Sequence, residues 1–172
     1  MTQILFSCDG GDLVLPDRAS LLVSRENGGN LVVHPPRAVW ERSELTAVEL
    51  MMFAFLVSAA GRSMLDELPQ LEGGCINYWE AGNWALHDQA EPKGRKTASE
   101  HRKMHLHLLG RSPMSTSEAW QWGESPRFPA FAEREWWARD FEPLTTDECG
   151  RIVERTRALL RTKYGVSSGS TR

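Results

Sequence analysis

The sequence predicts an α+β fold: an antiparallel sheet of about five strands, a long helix packed on it and a C-terminal helix. Three observations point that way. Short apolar segments, separated by Gly-Gly pairs and stopped by prolines, fill the stretch up to Pro36. Capping-box signatures open two long helical stretches, at Thr46 and at Thr145. Further strand-like segments lie between those two helices.

The elements follow in order. ILFSC (residues 4–8) and DLVLP (12–16) flank Gly10-Gly11, which is a hairpin signal. SLLVSR (20–25) and NLVVHP (30–35) read as a second pair joined through Glu26-Asn27-Gly28-Gly29. Pro35 and Pro36 end that fourth strand, since neither can donate to a ladder. Thr46, with Glu49 three residues on, starts a helix expected to run to about Leu68, ahead of Pro69. Its middle, LMMFAFLV (50–57), is apolar all round and predicts burial on most sides. CINYW (75–79) follows a Gly73-Gly74 turn as another strand, and the polar residues 80–100 read as a long loop. Residues 102–109 form the next strand, ended by Gly110. In the segment from Trp120 to Trp137, the aromatics Trp120, Trp122, Phe128, Phe131, Trp136 and Trp137 read as a cap on a core, with base stacking as the alternative. The last helix starts at Thr145, with Glu148 completing its capping box, and ends near Gly165. One domain over residues 1–165 and a disordered tail at 166–172 are expected.

Composition narrows the function. Hydrophobic residues make up 41% of the 172 and charged residues 25%, which excludes disorder and collagen-like repeats. The net charge of −3, from 20 Lys+Arg against 23 Asp+Glu, argues against bulk nucleic-acid binding. Any phosphate must therefore be held by a local site. Cys8, Cys75 and Cys149 are too few and too scattered for a disulfide framework or a Cys-rich zinc site, and read as reduced thiols. The start, MTQILFSCDGGD, carries no basic region, and the 50–57 run is far short of the ~20 apolar residues a bilayer crossing needs. A cytoplasmic protein with no membrane partner is expected.

The segment that carries chemistry is HRKMHLHLLGR (101–111). On a strand, side chains two apart share a face, so His101, Lys103, His105 and His107 line one side while Met104, Leu106 and Leu108 supply the core on the other. A solvated polar face is the bland reading of such a row. Two chemistries use His-x-His on a strand. A metal would want a nearby carboxylate, yet the first Glu downstream is Glu118, and Lys103 repels a cation. Attack of an imidazole on phosphorus instead welcomes Lys and Arg as phosphate clamps. The cationic neighbours favour phosphate, with no metal and no cofactor.

HLHLLGR resembles the histidine-triad (HIT) nucleotide hydrolases and transferases, which carry His-φ-His-φ-His-φ-φ (φ apolar) on such a strand. GGNLVVHPPRAVWERSELTAVEL (28–50) is similar to that family's early strand, Pro and Arg leading into its main helix, and INYWEAG (76–82) to its Asn-bearing strand. The similarity covers about residues 3–113. It implies a HIT-like fold and a homodimer joining two sheets. It also implies hydrolysis of, or nucleotidyl transfer from, a nucleotide substrate such as a dinucleoside polyphosphate, with His105 as nucleophile and His107 as its partner. Asn77 matches the family's substrate-binding asparagine, although Asn at a strand end also serves turns. Lys103 stands where the family has its first histidine, and Asn30 replaces the histidine of its Gly-His; both are expected to contact substrate, with His101 at the mouth of the row. His34 and His87 receive no role. The alternative from another class is a nucleotide-binding module that kept the fold and lost turnover.

Overall fold

The computed structural model describes residues 2–81, 93–95, 97, 103–130 and 133–166. Five strands, β1 (Gln3–Cys8), β2 (Gly11–Leu15), β3 (Asn30–His34), β4 (Cys75–Ala81) and β5 (His105–Arg111), form one antiparallel sheet in the order β1-β2-β3-β5-β4. The helices are α1 (Ala47–Glu67), a single turn α2 (Arg134–Trp137) and α3 (Thr146–Tyr164). An α+β fold with a five-stranded antiparallel sheet is thus what the sequence folds into.

Local chemistry explains both long helices. In each, the N-cap threonine accepts the amide of the glutamate three residues on, and that glutamate accepts the threonine amide in return. The sequence-predicted starts at Thr46 and Thr145 are therefore correct. Gly165, in the left-handed region at φ 66°, ends α3. Both helices pack on one face of the sheet, where Leu56, Met64 and Ile152 meet Leu13, Leu31, Val33, Leu106 and Leu108 in a single core. Met104, Leu106 and Leu108 do lie in that core, as the alternation predicts. Ser63 and Thr156 share a buried hydrogen bond of 3.0 Å between α1 and α3. Gly61 lets the Tyr78 ring of β4 lie against α1; a Cβ there would fall 2.3 Å from the Tyr78 hydroxyl oxygen.

Several expectations need correction. Residues 20–25 form no strand. Arg18–Ser20 and Arg25–Asn27 are 3-10 turns, with Leu21 and Val23 buried between them. The alternation there is real, but β3, the expected partner, is already paired with β2 on one side and β5 on the other. Nor does Gly110 end β5, which runs on to Arg111. At Gly110 the strand instead meets the Gly28 backbone: a Cβ would stand 2.1 Å from the Gly28 carbonyl oxygen, and the Gly110 amide donates to Gly29 at 3.0 Å. β5 also starts at His105, so Lys103 precedes the ladder, and the expected strand residue Arg102 lies outside the described residues. Glu80 and Ala81, expected to open the 80–100 loop, belong to β4; most of the rest of that loop and residues 167–172 of the expected tail lie outside the described residues too.

The sheet's second face is covered by loop residues. Val23, Leu109 and Trp120 form a small second core there, with Leu22 and Trp79 against it. The Trp120 indole donates 2.7 Å to the Gly110 carbonyl. Trp120 is thus a core cap, as read from the sequence. Trp122, Phe128 and Trp136 are exposed, against the expected cap, and Phe131 lies outside the described residues.

Candidate functional site

β5 builds the site through its two-residue period. Leu106 and Leu108 face the helices, which turns His105, His107, Leu109 and Arg111 to the opposite face. Pairing then decides what stands beside them. Val32 of β3 and Trp79 of β4 oppose His107, and Ala81 opposes His105. One position past the Val33–Leu106 pair, His34 comes to lie against His105, ring centroids 5.7 Å apart. His105 and His107 are 5.0 Å apart, nearly edge to face. Three imidazoles from two strands therefore form one row.

His105 carries a fixed tautomer. Its Nδ1 lies 2.9 Å from the Lys103 carbonyl oxygen. A carbonyl can only accept, so Nδ1 carries the proton and Nε2 keeps its lone pair. His107 is only 6% exposed and stacks on Trp79 at 5.3 Å, yet neither of its ring nitrogens has a hydrogen-bond partner among the described residues. Leaving both unmet costs desolvation energy without return, the condition under which a ligand is most welcome. Phe128 also stacks on Trp79, at 4.4 Å, so both His107 and Phe128 have Trp79 as a ring neighbour in one aromatic pile.

The electrostatics keep the row neutral. Burial pushes the His107 pKa down to about 3, helped by His105 and His34. His34 is lowered first by burial and then by His105, with Asp12 opposing. Burial also lowers His105, against the Lys103 carbonyl, which favours its charged form. Near neutral pH all three are free bases, able to donate through one nitrogen and accept, or attack, through the other.

The other sequence-predicted residues are dispersed. Asn30 is buried, with Oδ1 accepting the Leu22 amide at 3.1 Å and Nδ2 donating 2.9 Å to the Leu31 carbonyl. Its amide pins the 21–23 segment onto β3. Lys103 is exposed, and what it brings to His105 is its backbone carbonyl. Asn77 opposes Leu109, two residues along β4 from Trp79, and borders a cleft with Arg111. His101 lies outside the described residues. Conversely, His34 belongs to the row although the sequence assigned it nothing. The one signal was parity: in NLVVH it shares a face with Asn30 and Val32. Among the described residues no group of three or more His, Cys, Asp or Glu side chains converges as a metal site.

Comparison with known proteins adds no family: no family model matches the chain, and no curated protein matches it.

Proposed function

We propose that the protein is a nucleotide phosphoanhydride or phosphoramidate hydrolase, or a nucleotidyl transferase, of HIT-like fold, which works through a covalent nucleotidyl-histidine at His105. The observation that carries this reading is the hydrogen bond from His105 Nδ1 to the Lys103 carbonyl, because it leaves Nε2 as a neutral nucleophile in a fixed orientation. Nε2 attacks the α-phosphorus; the N–P bond forms as the bond to the leaving oxygen or nitrogen breaks. The leaving group takes a proton from solvent. Water then attacks phosphorus, the N–P bond breaks, and a proton returns to solvent, restoring His105. In a transfer reaction another acceptor replaces that water. His107 donates one N–H to a non-bridging phosphate oxygen, which supplies the partner its ring lacks. A donor placed there is typically worth ~3 kcal/mol in the transition state. His34, on the other side of His105, supplies a second imidazole to the same oxygens.

Intact-mass spectrometry tests the reading, using a panel of dinucleoside polyphosphates and adenylyl amidates. The expected result is a nucleotidyl adduct on the wild-type chain, absent in His105→Asn, together with released nucleotide. Neither adduct nor product across the panel overturns it.

One observation favours the second reading, a nucleotide-binding module without turnover. Asn30 is buried with both ends of its amide bonded to backbone, so the position matching the family's Gly-His histidine is held away from substrate. Nucleotide binding with no product over hours would decide for that module. In either case the proposed assembly is a homodimer. β4 ends the sheet at one edge, and Leu50 and Met51 are exposed on α1, as is Tyr78 on β4.

A further inference from the structure

We propose that the cleft beside Arg111 binds a phosphate group, at a subsite distinct from the histidine row. This stands apart from the reading of His105 and does not depend on it. Arg111 is 5% exposed, yet among the described residues no carboxylate forms an ion pair with it. Among the described residues both of its hydrogen bonds leave from Nη2, to the carbonyls of Gln121 at 2.7 Å and Glu124 at 2.8 Å, while Nε is buried with no acceptor. Carbonyl oxygens, and the Trp120 ring 4.9 Å from Cζ, orient a guanidinium but leave its charge uncancelled. An arginine cannot shed its proton, so a buried one ordinarily meets an anion.

The cleft onto which Arg111 opens is bordered by Asn77, Trp122, Glu124 and Ser125. The Asn77 amide and the Ser125 hydroxyl make no hydrogen bond to the described residues, and both can donate. A fixed cation with two neutral donors suits a tetrahedral oxyanion that has several acceptor oxygens. Glu124 opposes an anion, but it is exposed, and water screens its carboxylate more than the buried guanidinium. Arg111 stands four residues after His107 on the same strand face, roughly 14 Å along it at ~3.4 Å per residue, with Leu109 between them. A phosphate here is therefore a different phosphate from any held by the histidines.

Titration with inorganic phosphate at constant ionic strength, followed by ¹H–¹⁵N NMR, tests the proposal. Saturable shifts of the Trp122 indole and the Asn77 side-chain amide are expected, unchanged in His107→Phe. Arg111→Gln should weaken this binding at least tenfold and Asn77→Ala about threefold. Arg111 also anchors the 121–124 turn, so Arg111→Gln can fail to fold; Asn77→Ala, which removes no hydrogen bond within the described protein, then carries the test alone. Shifts confined to the histidine row, shifts that never saturate, or binding unaltered in Asn77→Ala would each overturn the proposal. An equal saturable response to acetate would show a general anion site and overturn the assignment to phosphate.

Discussion

His107 holds a buried imidazole whose nitrogens are unmet among the described residues, and that makes it a pH-dependent liability. Its folded pKa of about 3 lies below the ordinary 6.5, so the unfolded chain binds more protons between those values. Stability from this group is complete above pH 6.5 and is lost as pH falls towards 3. At about 1.4 kcal/mol per pH unit, the loss between pH 6.5 and 5 is on the order of 2 kcal/mol. His107→Phe removes the titration and keeps a ring against Trp79. Urea midpoints should therefore depend less on pH in this variant over that window, and an unaltered slope would count against a buried neutral His107. At His105 the expected effect is chemical. His105→Asn should lose more than 99% of turnover, with melting temperature and nucleotide affinity nearly unchanged. Its lowered pKa also puts the acidic limb of the wild-type pH–rate profile below the 6.5 of an ordinary histidine, because the attacking imidazole must be unprotonated.

Among the elements, β5 shows how tightly the site strand is built in. It lies between β3 and β4, sends Leu106 and Leu108 into the helical core, and is crossed at Gly110 by the Gly28 backbone. Gly110→Ala would put a methyl 2.1 Å from a carbonyl oxygen on a second segment that has no flexible side chain to move aside. A loss of about 3 kcal/mol is expected, read from equilibrium urea unfolding. Activity should fall with it, since the Trp120 indole donates to the carbonyl of Gly110 itself and Trp120 meets Phe128, which stacks on Trp79 beside His107. α3 is tied down differently. The buried Glu148 carboxylate accepts from Arg25, Gln70 and the Thr145 cap, so its capping box also clasps the loop that follows β2.

Over the whole molecule, the two faces of the sheet have separate tasks: helices on one side supply the core, and loops on the other frame the histidine row. α1 is the only described helix long and apolar enough to cross a bilayer by composition, and 44% of its most apolar window is buried inside the fold. Leu50 and Met51 stay outside that packing. If a second copy covers them, sedimentation equilibrium at micromolar concentration should return a dimer, and Met51→Glu should shift it to monomer with its circular dichroism unchanged. A wild-type monomer under those conditions would remove the homodimer from the proposal.

Some of this was legible in residue order alone. The starts of α1 and α3 depend on hydrogen bonds between residues three apart, and the two-faced character of β5 on alternation within seven residues, so both are local and readable. The His105–His107 pair was visible for the same reason. What sits beside that pair was not. That His34 meets His105, that Trp79 stacks on His107, that Asn30 is spent on backbone and that Asn77 stands with Arg111 all follow from strand register. Residues 20–25 show the same limit, having the alternation of a strand while β3, the expected partner, is already paired on both sides. Register brings together residues more than seventy positions apart in β3 and β5, and it is set by packing of the whole sheet on α1 and α3 rather than by any property of the segments themselves.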